Sequence, residues 1–561
     1  MADHKDLEHA PAYVLHDERG HDAASDISHG KKNGAIVDAD VDAGGHHRIV
    51  SVANDTTDGE SFDQVPESQR RLSTFSAIML AVGRIIGTGI FATPASILGS
   101  VGSPGMALIL WVIGAIIAAA GAAVYAEWGT ALPRSGGEKN YLEYFFRRPL
   151  FLISCVYAAN AALLGWPSGN SVFAGEMILS AAGQEVTQWN QRAIGLGVIT
   201  FALLVHSIVP KWGIRLQNAL GVFKLVVLLF IIFSGFVALG GHIPHLPPGT
   251  EKPHNLRNAF AGTKTSANAF VTALYNVIWS FIGYSNLNYA LSEVRHPVRT
   301  LKRALPISIG IIAVLYILVN IAFFAAIPKE DILTSNRLVA ALFMRNMFGE
   351  SAEKAVSVLI ALSAIGNVLA VLFSQGRINQ ELGREGVLPL SALWASNKPF
   401  GAPAAGLALQ WAVSLIVMLA PPPGDAYGFL LNLISYPLNV FNTLISGALL
   451  VLHIKKRHYG QAWTPPFSAP LPVVAFFFLA SLFLVIAPLV PPEAGGEPYK
   501  SLPYWLHVVV GFGILAAGGV YWVIWTLILP RLGGYRLERH EEVSSDGITR
   551  NVFRRVYSRH E

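Results

Sequence analysis

The sequence predicts an all-α polytopic membrane protein of about twelve transmembrane helices, flanked by polar tails. Of its 561 residues 52% are hydrophobic and 14% charged, where a soluble globular chain carries about 25% charged residues. The mean hydropathy is +0.45. Such a chain has more apolar surface than its polar residues can cover, unless lipid is part of its solvent. Charge-free runs long enough to cross a bilayer then recur between Ser73 and Pro530.

Residues 1–70 are rich in Asp, His, Gly, Ser and Lys. They hold too few apolar groups to offset the entropy of ordering them, so a disordered tail is expected. His21, His29, His46 and His47 match no zinc spacing, and no metal site is expected. Met1–Gln69 has no apolar core, so the first hydrophobic helix is expected to act as the insertion signal. The run Ile85–Ala126 exceeds one span and must turn at Gly99-Ser100-Val101-Gly102-Ser103-Pro104-Gly105. Gly102, in that external turn, is expected to tolerate substitution. Spans of about 20 apolar residues fall at roughly 73–98, 105–131, 149–180, 192–210, 214–240, 267–293, 303–327, 353–379, 402–420, 426–452, 468–490 and 503–529. This defines a membrane domain over 71–530 and a polar C-terminal tail over 531–561.

Basic residues sort to one side of these spans. Arg70, Arg71, Arg134, Arg148, Arg215, Arg299, Arg384, Lys455 and Arg457 lie on one side, with the C-terminal tail, and far fewer lie opposite. The positive-inside tendency places both termini in the cytoplasm. The net charge of +5 comes from these loops, so no nucleic-acid partner is implied. The single cysteine, Cys155, excludes an internal disulfide and a cysteine metal cluster. At membrane depth the sequence offers no carboxylate pair, nucleophile with base, or metal-ligand cluster, so neither an enzyme nor a cofactor is expected.

Two spans read as interrupted. The first contains Ile85-Ile86-Gly87-Thr88-Gly89-Ile90-Phe91, with Pro94 beyond; the sixth contains Trp279-Ser280-Phe281-Ile282-Gly283-Tyr284-Ser285-Asn286-Leu287-Asn288. Glycine lets a helix unwind, and lipid forbids bare backbone polar groups, so an unwound stretch must line a protein cavity. Amides opening a second half-helix suit a carboxylate. Gly83 and Gly87 also fit a helix-packing face, and Trp279 and Phe281 ordinary packing. Breaks at matching places in two five-helix halves, however, point to a central transport site. Lys224 lies about two and a half turns into the fifth span, and it must face the bundle or snorkel. Arg84 poses the same choice, while Glu127 and Glu293 are expected to pair with basic loops.

Gly87-Thr88-Gly89-Ile90-Phe91 resembles the first-helix motif of the amino acid–polyamine–organocation superfamily. Tyr125-Ala126-Glu127-Trp128-Gly129 with Pro133-Arg134-Ser135-Gly136-Gly137-Glu138, Ser292-Glu293-Val294-Arg295-His296-Pro297 and Arg384-Glu385-Gly386-Val387-Leu388-Pro389 resemble its L-type amino acid transporter branch. Arg84 and the run from Gly136 to Glu143 resemble fungal methionine permeases. The resemblance spans about 72–530. It implies a LeuT-type fold of two inverted five-helix repeats plus two helices, and a substrate site around Ile85, Gly87, Thr88, Gly89, Ile90, Trp279, Ile282, Gly283, Ser285 and Asn439. The substrate carboxylate would meet amides of Thr88, Gly89 and Ile90, and its amine carbonyls of Ile85 and near Trp279 and Ile282. Trp279 matches an aromatic gate, Ser285 a pocket residue, and Asn439 a tenth-helix residue facing the same region. Lys224 matches a lysine standing where sodium sits in sodium-coupled relatives, which implies proton-coupled or uncoupled transport. The loop around Ser180–Arg192 lacks the cysteine that links animal relatives to a heavy chain, so no such partner is expected. The expected activity is import of methionine or other neutral amino acids by alternating access, at the plasma membrane. An amino acid sensor is the alternative. Lys5, Lys31 and Lys32, near Ser25 and Ser28, are expected targets of ubiquitination machinery.

Overall fold

A computed structural model describes residues 49–50, 70–247, 250–335, 339–422, 425–459, 463–492, 498–499, 501–543 and 549–557. The tail lysines, serines and histidines named above lie outside these. The first span comprises α1 (Thr74–Ile85), α2 (Gly89–Ala92) and α3 (Pro94–Val101). Ser73 caps α1, its side chain accepting from the Ser76 amide at 3.2 Å. Thr93 has helical dihedrals, so α2 and α3 run on as one half-helix. There follow α4 (Pro104–Ala131), the short α5 (Glu138–Phe145), α6 (Leu152–Leu163), α7 (Ser168–Ala181), α8 (Gln188–Ile208) and α9 (Pro210–Leu239). The sixth span is α10 (Ala267–Phe281) continued by a 3₁₀ helix over Tyr284–Glu293. Then come α11 (Pro297–Ala326), α12 (Lys329–Ser335), α13 (Val339–Phe348), α14 (Glu350–Arg384), α15 (Ser391–Ala395), α16 (Ala404–Leu419), α17 (Ala426–Tyr459), α18 (Leu471–Ile486), α19 (Leu506–Trp522) and α20 (Leu529–Gly533).

Among the described residues nine helices are long and apolar enough to cross a membrane. The other predicted spans are the third, divided into α6 and α7, the broken sixth, and α16. The third span breaks at Gly165, whose φ of 57° only glycine adopts freely, followed by Pro167 at the cap of α7. This division was not expected from the sequence. The first span lies centrally, packed against α9, α11, α14 and the 3₁₀ helix.

One further expectation needs correction. Gly102 caps α3 at φ 75°, and a Cβ there would run into the Gly262 carbonyl oxygen, so this turn is tightly packed. The C-terminal segment forms an antiparallel hairpin, β2 (Tyr535–Val543) with β3 (Thr549–Tyr557), and β1 (Ile49–Val50) pairs with the outer edge of β2. Phe553 packs edge-on against Phe151 and Trp525 at 5.1 and 5.0 Å, which seats the hairpin on the membrane domain.

Candidate functional site

The first break exposes a run of carbonyls, and each is met by a side chain from a neighbouring span. Ile86 leaves the helix with ψ 86°, so the ladder of α1 ends there. Lys224 is 1% exposed. Its Nζ donates to the carbonyls of Gly83 at 2.8 Å and Ile86 at 2.5 Å, which settles its direction towards the bundle. Tyr316 donates to the Ile85 carbonyl at 3.0 Å, Ser363 to that of Gly87 at 3.3 Å, and the Asn367 amide to that of Arg84. Beyond the break, the Phe91 and Ala92 amides return to the Thr88 carbonyl at 3.1 and 2.8 Å. The amides of Gly89 and Ile90 open the second half-helix and have no intrahelical acceptor.

A buried polar chain runs alongside. Arg84 donates to Asn367 Oδ1 at 3.4 Å, and Asn170 Nδ2 donates to the same oxygen at 2.9 Å. Thr88 Oγ1 lies 2.8 Å from both Asn170 Oδ1 and the Tyr427 hydroxyl. Arg84 therefore faces the bundle too.

The two breaks interlock through their glycines. A Cβ on Gly89 would meet Ser280 Oγ at 2.6 Å and Ser280 Cα at 2.7 Å. A Cβ on Gly283, which sits at φ 133°, would meet Arg84 Cγ at 2.5 Å and Ile85 Cγ1 at 3.1 Å. Tyr316 ties the pair together, its hydroxyl lying 3.2 Å from the Ser280 carbonyl as well as bonding Ile85. The first and sixth spans thus meet at their unwound segments.

Residues 72–514 match the amino acid permease family. The chain belongs to this family. The permease is 50% identical over 507 residues to the high-affinity methionine permease of Saccharomyces cerevisiae, covering 90% of this chain and 88% of that one. It is 30% identical over 495 residues to the low-affinity methionine permease of the same organism, with 87% and 88% covered. It is 31% identical over 458 residues to the b(0,+)-type amino acid transporter 1 of Mus musculus, with 79% and 89% covered.

Of the residues read from sequence, Ile85, Gly87, Thr88, Gly89, Ile90, Ile282 and Gly283 come together at the two breaks, and Trp279 lies in the last turn of α10. Ser285 is buried and bonds the Tyr289 hydroxyl at 3.0 Å. Asn439 is buried on α17, where its side chain hydrogen-bonds Tyr275 on α10, a turn before Trp279. On that helix it is Tyr427 that reaches the first break. Sequence reasoning missed Asn170, Tyr316, Ser363, Asn367 and Tyr427. An Asn within an apolar run is the signal that marks Asn170 and Asn367.

The ends of the spans nearest the basic loops are stitched together. The Leu72 amide donates to the Glu293 carbonyl at 2.9 Å, and Arg295 returns a bond to the Leu72 carbonyl at 3.2 Å. Ser135 and Ser292 exchange amide-to-hydroxyl bonds at 3.0 and 3.1 Å. Arg377 grips Glu293 through Nε at 2.5 Å and Nη2 at 3.3 Å. Glu127 accepts from His453 and Trp463, each at 2.7 Å, and from the Ala469 amide at 2.8 Å. Both glutamates serve as partners for the loops and the neighbouring spans. Cys155 is buried in α6.

Proposed function

We propose that this permease imports methionine or other neutral L-amino acids across the plasma membrane, independently of sodium and coupled to protons, with both termini cytoplasmic. Transport proceeds by rocking one helix bundle of a 5+5 inverted repeat against the rest, around the two breaks. The observation carrying this reading is the Lys224 ammonium fixed on the Gly83 and Ile86 carbonyls. Unwound carbonyls need a cation at this depth, and a covalently attached one makes sodium unnecessary. The substrate carboxylate then takes the amides of Gly89 and Ile90, where the half-helix dipole is positive. The names of the two yeast relatives support methionine as the substrate to test first.

The test is uptake of labelled methionine in transporter-deficient cells, in choline against sodium buffer, with and without an inward proton gradient. Uptake should be equal in choline and sodium and should rise with the gradient. Strict sodium dependence would overturn the reading. Lys224→Met removes the cation while keeping an unbranched stem, and it should abolish most uptake.

A further inference from the structure

The mechanism so far leaves several buried acids without a use, Glu138 among them. Glu138, the first residue of α5, is 1% exposed. Its Oε1 accepts from the Tyr125 hydroxyl of α4 and from the Tyr289 hydroxyl of the 3₁₀ helix at 2.7 Å. Its Oε2 accepts from Tyr157 of α6 at 2.9 Å. Among the described residues no lysine, arginine or histidine pairs with it. Tyr141, on its own helix, and Tyr284, hydrogen-bonded to Asn442, also lie near it; Arg84 on α1 interacts electrostatically with Tyr289 and Arg134 with Tyr141, while the neighbouring Lys139 is held by Glu143 and Glu385. The Gly136-Gly137 pair makes this closeness possible: Gly137 sits at φ 56°, and a Cβ there would meet the Tyr289 ring at 2.6 Å.

Both tyrosines on Oε1 have a second acceptor within reach. Tyr125 lies 2.9 Å from Asn442 Oδ1, and Tyr289 lies 3.0 Å from Ser285 Oγ. With Glu138 ionised, the three hydroxyls donate to it. With Glu138 protonated on Oε1, its new O–H donates to the Tyr289 oxygen, and the Tyr289 hydrogen turns to Ser285. The cage can satisfy its hydrogen bonds in both states, which a carboxylate serving only to hold helices together does not require.

We infer that Glu138 is the proton-binding site of the transport cycle, and that its protonation is passed through Tyr289 to Ser285 beside the break in the sixth span. This rests on the proton-coupled reading above and assigns its carrier to Glu138 while Lys224 stays charged. Burial without a cationic partner pushes the Glu138 carboxyl above the usual carboxylate range, towards the pH at which such a cycle works.

The test uses purified full-length protein in liposomes loaded with methionine for counterflow, or empty under an inward proton gradient. Unmodified protein should accumulate methionine under the gradient. Glu138→Gln should reduce gradient-driven accumulation at least about tenfold while retaining measurable counterflow, because only a titratable group can harvest the gradient. Tyr157→Phe removes a donor that bonds the ionised carboxylate more strongly than the carbonyl oxygen of the protonated acid, so the pH profile of uptake should move upward by about one unit. That second variant decides the matter if Glu138→Gln fails to fold, since a merely structural role would leave the profile in place. Unmodified protein indifferent to the gradient would overturn the coupling reading and this inference together. A responsive unmodified protein with a Glu138→Gln variant that accumulates equally, or an unmoved Tyr157→Phe profile, would overturn this inference alone.

Discussion

Gly89→Ala and Gly83→Ala add the same methyl group to the two sides of the first break, and the structure predicts opposite outcomes. At Gly83 nothing lies within 4 Å of an added Cβ. The change should be neutral or stabilising, since Ala is favoured over Gly in a helix by about 1 kcal/mol. At Gly89 the methyl would lie 2.7 Å from Ser280 Cα, a backbone atom that no rotamer change can remove. The two half-helices must part, and overpacking of this kind costs about 1–3 kcal/mol. If the interlocked state is one the transporter must visit, that penalty lowers its population by roughly 5- to 150-fold. The assay is the initial rate of labelled methionine uptake, normalised to surface protein, together with the thermal unfolding midpoint in detergent. Ser280→Gly removes the Oγ and Cβ contacts at 2.6 and 2.8 Å but leaves Cα, so it should restore Gly89→Ala in part. Equal behaviour of the two alanine variants would refute the packing argument. Loss at Gly89 that Ser280→Gly does not relieve would instead mean the glycine serves only to bare its amide to the substrate.

The seal between Arg377 and Glu293 offers another test. Arg377→Ala strips Glu293 of both bonds and should weaken the closed state by about 1.5–3 kcal/mol, read as faster thiol labelling of a Ser292→Cys reporter in the double variant than in Ser292→Cys alone; unchanged labelling would remove Arg377 from the gate. Excess lysine or arginine should compete with methionine uptake far more weakly than excess leucine, and equal competition by arginine would contradict the site proposed here. If the N-terminal lysines are ubiquitination targets, deleting residues 2–60 should preserve initial uptake and slow substrate-driven removal from the surface. Loss of uptake by a correctly inserted deletion would give the tail a part in the gate instead.

The breaks were legible in sequence because membrane depth leaves few reasons for a glycine beside polar residues. Gly283 is such a case: its φ of 133° is open to few other residues, and its neighbours carry the hydrogen-bonding groups. Lys224 was legible as a charge in an apolar run, but its direction was not. Orientation depends on α1 passing beside α9, a long-range packing fact that local pattern does not encode. The Glu138 cage shows the same limit more strongly, since its four members come from α4, α5, α6 and the 3₁₀ helix. The C-terminal hairpin is a different kind of miss. Tyr535 and Leu537 alternate with Arg536 and Glu538 only at the start of β2, while on β3 Val552 adjoins Phe553 and Val556 adjoins Tyr557, so no sustained period-two pattern marks this highly charged segment.

The charges around the first break are unbalanced, and this bears on which substrates fit the proposed site. Arg84 and Lys224 are both buried there, and among the described residues no Asp or Glu pairs with either. A buried cation is costly unless paired, and hydrogen bonds to neutral partners offset only part of that cost. Lys224 recovers some of it at the C-terminal end of α1, where the helix dipole is negative. Arg84 donates to the neutral side chain of Asn367, and the half-helix opening at Gly89 adds further positive potential. The region is thus set for one incoming anion. In the proposed site a zwitterionic amino acid would supply it through its carboxylate, while its ammonium would trade with Tyr316 for the Ile85 and Ser280 carbonyls. A cationic side chain would bring a third positive charge to a region already holding two. On that reasoning, preference for neutral substrates follows from the two basic residues at the break rather than from the size of an apolar pocket.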